Sequence, residues 1–301
     1  MNEVSHIFDR ALLRRRRDRA APNFGDFDFL QRRVGEMTAD CLSDIRRQFP
    51  MALELGCRTG QMAKILQGRS GIEILVQSDL SEAMALRARD RTSGLAIAAD
   101  EEALPFAEQS FDLVISCLAL HWVNDLPGAL IQIRRALKPD GLFLAAFLGG
   151  ATLAELRAAL LDAETELEGG ASPRVSPFAD VRDGGDLLLR AGFALTVANT
   201  ETLEVSYQGP AALMADLRGM GETNAAMQRR RSFTRKTTLA RALALYQERH
   251  GDEDGRIPAT FEIIVLTGWA PGPDQSQALA PGSGQVSLTK VLGDGAGKLR
   301  P

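Results

Sequence analysis

Between Met51 and about Phe147, short apolar runs alternate with windows whose apolar positions recur at helical spacing. The runs are Ala52–Leu55, Ile72–Gln77, Leu95–Ala98, Phe111–Cys117 and Leu142–Phe147, and helical windows open at Gln61, at Glu82 and over Leu126–Leu137. Strands this apolar along their whole length belong in a sheet covered on both faces, and the β/α alternation makes that sheet parallel. Right-handed connections wind it into a doubly wound, Rossmann-like α/β fold. Ser81 in Asp79-Leu80-Ser81-Glu82 is placed to cap a helix, and Lys138-Pro139-Asp140-Gly141 reads as a helix stop followed by a turn.

The flanks carry a different pattern. Residues 1 to about 50 read as helical segments with a loop near Ala21-Pro22-Asn23. Past Gly149-Gly150, a helix over Thr152–Glu168 ends at Gly169-Gly170, and a proline-punctuated loop runs from Ser172 to Phe178. A further helix leads through Ala191-Gly192-Phe193 into a sixth strand ending near Asn199. Residues 209 to 249 are mostly helical, a lid or substrate-facing insertion before a last strand, Phe261–Trp269. About seven strands result. The organisation is an N-terminal helical segment (1–50), a main domain (51–270) and a tail (271–301) rich in Gly, Pro, Ser and Gln that reads as disordered.

Charge adds one feature. The 301 residues are 45% hydrophobic with a formal net charge of -4, so nothing global points to nucleic acid. Locally, Arg10, Arg14, Arg15, Arg16, Arg17 and Arg19 crowd against a single acid, Asp18. Such a run is normally a solvated helix face, and Arg14–Arg17 also suit an acidic partner. Cys41, Cys57 and Cys117 fit neither a disulfide framework nor paired zinc motifs, and no metal site is expected. No apolar run is long enough to span a bilayer. A cytoplasmic protein of bacterial type is expected.

Candidate chemistry centres on Ala52-Leu53-Glu54-Leu55-Gly56-Cys57-Arg58-Thr59-Gly60, an apolar strand ending in an acid and breaking into a glycine turn that opens a helix. Such a junction receives a nucleotide-type cofactor. Asp79 lies about 19 residues beyond Gly60, where dinucleotide folds place a ribose-binding acid, so the pattern alone leaves NAD open. Arg58 stands where a glycine is usual. Its side chain is expected to leave the site while the backbone, at negative φ, keeps the turn. Cys57 is expected to fill space beside the strand.

In this order, Glu54–Gly60, Asp79-Leu80-Ser81, Asp100-Glu101-Glu102-Ala103-Leu104-Pro105-Phe106, Phe111-Asp112-Leu113-Val114 and Leu137-Lys138-Pro139-Asp140-Gly141 resemble the class I S-adenosylmethionine-dependent methyltransferases. The resemblance implies that Gly56 and Gly60 admit the methionine part, Asp79 takes the ribose diol, and Asp100 with Glu101 lies near the adenine. Glu54 would act through the loop and the ligand's amino group, and Leu80 and Cys117 complete the implied cofactor-binding set.

A narrower resemblance spans Phe8-Asp9-Arg10 to Gly268-Trp269 and includes Leu120-His121-Trp122-Val123-Asn124-Asp125, Ala163-Glu164-Thr165-Glu166, Ser176-Pro177-Phe178, Gly219-Met220-Gly221-Glu222 and Pro258-Ala259-Thr260. It is to the complex I assembly factors whose human member is described as an arginine hydroxylase. It implies modification of an arginine on the cluster-bearing subunit of the respiratory NADH dehydrogenase. His121 and Asp125 are the candidate catalytic pair: on a helical turn they would stand at i and i+4. The other reading has His121-Trp122 walling the substrate pocket while Asp125 caps a helix. Two further functions stay open: O-methylation of a small or malonyl-carrier acid, and an assembly chaperone without catalysis.

Overall fold

The computed structural model describes residues 6–273 and 275. The disordered tail expected over 271–301 therefore lies almost wholly outside the described residues. Seven strands form one sheet: β1 (Met51–Leu55), β2 (Ile74–Asp79), β3 (Leu95–Ala98), β4 (Phe111–Cys117), β5 (Leu137–Leu148), β6 (Ala194–Tyr207) and β7 (Ile257–Trp269). Their order is β3-β2-β1-β4-β5-β7-β6, with β7 antiparallel to both neighbours and the rest parallel. This is the doubly wound, Rossmann-like α/β sheet expected from the alternation.

Period two sorts the central strands onto two cores. Ala52, Leu113, Ile115, Leu142 and Leu144 pack on one face beneath α2 (Phe29–Ser43) and α3 (Gln61–Leu66). Leu53, Leu55, Val114, Phe143 and Ala145 face the other way, against α5 (Leu126–Ala136) and α7 (Val181–Arg190). Ser81 caps α4 (Glu82–Thr92), accepting the Met84 N–H at 3.1 Å.

Three boundaries differ from the sequence reading. The loop placed at Ala21-Pro22-Asn23 is a 3₁₀ turn, Ala21–Asp26, joining α1 (Arg10–Ala20) to α2. Lys138–Gly141 does not separate α5 from the strand: β5 begins at Leu137, and the extra residues form an irregularity against Phe111–Leu113 with Asp140 at φ 60°. β6 and β7 extend to 14 and 13 residues because they pair with each other along nearly their whole length. Between them lie α8 (Pro210–Gly219) and α9 (Lys236–His250), and α6 (Ala154–Glu168) packs on α9.

The order of the strands puts β1 beside β4 at the switch point, where the chain runs to opposite sides of the sheet. The carboxyl ends of β1, β2, β3 and β4 open on one crevice there. Those four ends and the loops leaving them carry Gly56–Gly60, Asp79, Asp100–Glu101 and His121.

Candidate active site

At the end of β1 the chain turns through Gly56 (φ 75°), and the N–H groups of Gly56 and Cys57 both donate to the Ser78 carbonyl of β2, at 2.8 and 2.9 Å. A Cβ on Gly56 would lie 2.2 Å from that of Ala119, beyond β4, so the two loops meet only because this residue has no side chain. Gly60 (φ 82°) then caps α3. Arg58, between them, also takes a left-handed φ of 51°. That conformation costs a non-glycine residue about 1–2 kcal/mol. It is offset by what the residue holds: its N–H donates to Asp79 Oδ2 (3.1 Å), and its guanidinium donates to the Leu118 carbonyl (2.7 Å) and to Glu222 Oε1 (2.6 Å). The sequence reading is corrected on both counts, since φ is positive and the side chain runs into the site, 1% exposed.

Asp79, at the end of β2, is wholly buried and accepts the Ser81 N–H at 2.9 Å. Its charge is met from the N-terminal helix. Arg17 Nη1 lies 3.5 Å from both Asp79 and Glu101, and Arg10 binds Asp100 and Glu101. The arginine run is thus only partly a solvated face: Arg14, Arg15 and Arg19 are exposed, whereas Arg10, Leu13, Arg17 and Ala20 turn inward at positions i, i+3, i+7 and i+10. That spacing was the available signal for Arg10 and Arg17, which share the stripe of Leu13 and Ala20. Burial pushes the Glu101 carboxyl up, but Arg10 and Arg17 override it and hold it below the ordinary value. Glu54 is the opposite case. It is fully buried, both oxygens lack a hydrogen-bond partner, and burial followed by the Asp79 charge raises its carboxyl well above the ordinary range.

After β4, Leu120–Trp122 makes one 3₁₀ turn and Asp125 begins α5 as its N-cap, accepting the Gly128 N–H at 2.9 Å. His121 and Asp125 are therefore not neighbours on a helix face, and the i, i+4 pairing is corrected. Asp125 is occupied by capping. The partner of His121 is Glu222, from the segment after α8: one carboxylate oxygen stands 3.2 Å from His121 Nε2 and accepts from Trp122 Nε1, while the other binds Arg58. Phe178 closes over His121 with ring centroids 5.9 Å apart. Glu222 gave only a weak signal, its place in Gly219-Met220-Gly221-Glu222. Leu80 packs with Phe8, Leu13 and Trp122 at the rim. Cys117 is buried at the end of β4, where its carbonyl accepts Gln31 Nε2 at 3.2 Å and burial pushes its thiol up.

Burial raises Glu222, yet Arg58 and then His121 pull it down to about 2. A carboxyl depressed in the folded state stabilises it above its unfolded value, near 4.5, and that stability is lost as pH falls towards 2. Glu101 acts in the same direction. Acid unfolding is expected to begin below about pH 5 and to be shallower in Glu222→Gln, as read by circular dichroism across an acid titration. An unchanged titration in the variant would count against the Arg58–Glu222 pair.

Whether these residues suit the cofactor implied by the resemblance is decided by the unpartnered atoms. Glu54 Oε1 and Oε2, Glu101 Oε1 and His121 Nδ1 are buried without hydrogen-bond partners, Glu101 Oε1 having only the Arg17 guanidinium at 3.5 Å. A ligand with an ammonium and hydroxyl groups would satisfy the acids, and Gly56 supplies the close approach; the donor set fits. The space is another matter. Arg17 already lies against Asp79 and Glu101, and the cavity bounded by Arg58, Leu118, His121 and Glu222 measures about 20 Å³, room for one water. A ligand that binds Asp79 and Glu101 therefore competes with Arg17.

Residues 53–145 match the family model described as a methyltransferase domain, which spans the glycine turn and the acids of β2 and β3. The chain is 47% identical over 289 residues to "Arginine-hydroxylase NDUFAF5, mitochondrial" of Homo sapiens, covering 95% of this chain and 83% of that one. It is 35% identical over 284 residues to the malonyl-[acyl-carrier protein] O-methyltransferase of Halorhodospira halophila, covering 93% and 94%. Among solved structures, the YcgJ protein of Bacillus shares the fold at TM-score 0.55 and 14% identity, over 78% of this chain and 98% of that one.

Proposed function

The chain belongs to the family of the arginine-hydroxylase NDUFAF5, and from that premise we propose that it is a methyltransferase-like enzyme that binds S-adenosylmethionine and modifies an arginine on the cluster-bearing subunit of respiratory complex I during assembly. The observation that carries this reading is the reach of the identity, 95% of the chain. That reach extends well beyond the methyltransferase domain at residues 53–145.

When bound, S-adenosylmethionine supplies an electrophilic carbon on a sulfonium centre. The chain's own residues do the rest. Glu54 would hold the amino group and Asp79 the ribose, and Asp100 and Glu101 would flank the base. At the substrate end Glu222 is ionised, so His121 Nε2 carries the proton that it donates to the carboxylate. Burial lowers the His121 pKa against the pull of Glu222, which leaves the ring neutral at pH 7 with Nδ1 unprotonated and without a partner. Nδ1 is therefore the acceptor that a substrate N–H meets. Alignment, more than acid-base power, is what such a site provides.

The test is the mass of the cluster-bearing subunit purified from cells with and without this gene. One modified arginine in the wild type, absent from the deletion strain, is the expected result; an unmodified subunit in both would end the proposal. The mass itself distinguishes an added oxygen from an added methyl. No helix among the described residues is long and apolar enough to cross a membrane, and Cys41, Cys57 and Cys117 are free. We place the protein in a reducing compartment, the cytoplasm in a bacterium, working at the inner-membrane periphery where the complex is assembled. A second reading, O-methylation of a carrier-bound acid, is favoured by the 35% identity to the malonyl-carrier enzyme. Methyl transfer to a malonyl-carrier protein by the purified chain would move the assignment there.

A further inference from the structure

Glu222 faces two spaces. Inward is the small cavity beside Arg58 and His121, and outward is a cavity of about 520 Å³ between α1, the Pro173–Phe178 loop and the segment after α8. The walls of the outer cavity carry Arg16, Arg174, Arg218, Arg229, Arg230 and Arg231, and Glu222 is its one acid. In a chain whose net charge is -4 this is a pronounced local excess.

The charges do not cancel. Arg174 and Arg230 share Glu164, Arg230 also binds Glu168, and Arg229 binds Asp9. Glu222 is spent on Arg58. Arg16 donates only to neutral carbonyls, those of Thr223 and Asn224 at 2.6 and 2.7 Å. Arg218 and Arg231 have no ion-pair partner among the described residues. Burial and then the nearby Arg229 push the Arg16 guanidinium below its ordinary value, against the pull of Asp9.

A substrate arginine approaching Glu222 through such walls would be repelled unless it brought compensating charge. We infer that the outer cavity is a docking groove for a polypeptide segment in which acidic side chains flank the target residue, the acids resting on Arg16, Arg218 and Arg231 while the target side chain reaches Glu222. This rests on the arginine-modification reading for the identity of the central residue, but the charge requirement does not. Steering by the same three cations makes association dependent on ionic strength.

The experiment is fluorescence anisotropy on the full chain with short labelled peptides: a central arginine flanked by glutamates, the same peptide with glutamines, and the glutamate peptide with leucine at the centre. The glutamate peptide is expected to bind about tenfold tighter than the glutamine peptide at low salt and to lose that advantage at high salt. The surface double variant Arg218→Gln/Arg231→Gln, checked for an unchanged melting temperature, should lose most of the difference. Equal binding of the two arginine peptides, or an unaffected double variant, would overturn the inference. If glutamates matter but the central arginine does not, the groove stands and the arginine reading fails. If an acidic acyl-carrier protein binds while no peptide does, the peptide groove is refuted.

Discussion

Glu54→Gln is expected to stabilise the protein without cofactor at pH 7 while weakening its binding of S-adenosylmethionine about a hundredfold. Both effects have one origin. The Glu54 carboxyl is buried at the end of β1 with neither oxygen paired, and burial together with Asp79 raises its pKa well above the ordinary value. An acid whose folded pKa is raised costs nothing below its unfolded value, near 4.5, and costs progressively more as pH climbs above it. The amide does not titrate, so the variant should gain about 1–3 kcal/mol at pH 7, several degrees of melting temperature, and nothing at pH 4. The lost affinity is that of a charged acceptor for an ammonium group in a dry site. Thermal melts at the two pH values and calorimetry with the cofactor read the two halves separately. A melting shift independent of pH would remove the titration argument, and unchanged affinity would take Glu54 out of the cofactor site.

The sequence made the sheet legible because its signals are local. Apolar runs, Ser81 before a helix, and the glycines at 56 and 60 each act within a few residues, and the strand ends that carry Glu54, Asp79 and Asp100 followed from them. What stayed hidden depends on contacts between distant parts of the chain. Glu222 lies 101 positions from His121, and Arg17 lies 62 from Asp79. Arg58 shows why a local rule misled: glycine is favoured at that turn for its conformational freedom, but a residue with three partners waiting can bear the strain. His121 and Asp125 failed as a pair for a simpler reason. The i, i+4 argument assumes one continuous helix, and the chain instead breaks between a 3₁₀ turn and the cap of α5.

Arg17→Met should lower the stability of the cofactor-free protein by about 3 kcal/mol, the cost of leaving buried acids short of a cation. Methionine keeps the volume of the α1 stripe, so packing against Leu13 and Ala20 is preserved and the loss reports on charge. Asp79 carries most of it, because Glu101 retains Arg10 while Asp79 keeps only the Arg58 guanidinium at 3.9 Å and two backbone donors. The double variant Arg17→Met/Asp79→Asn should therefore cost less than the two single changes added together. The same contact sets the direction of the effect on binding. Arg17 sits against the acids that the cofactor's nucleoside needs, so the cofactor must displace it, and each opposes the other by linkage. Removing Arg17 is expected to tighten S-adenosylmethionine binding about tenfold, and saturating cofactor, itself a net cation, should narrow the stability gap between variant and wild type. Denaturant titrations with and without cofactor measure both. If Arg17→Met binds the cofactor more weakly, Arg17 is a ligand for it and the competition described here is wrong.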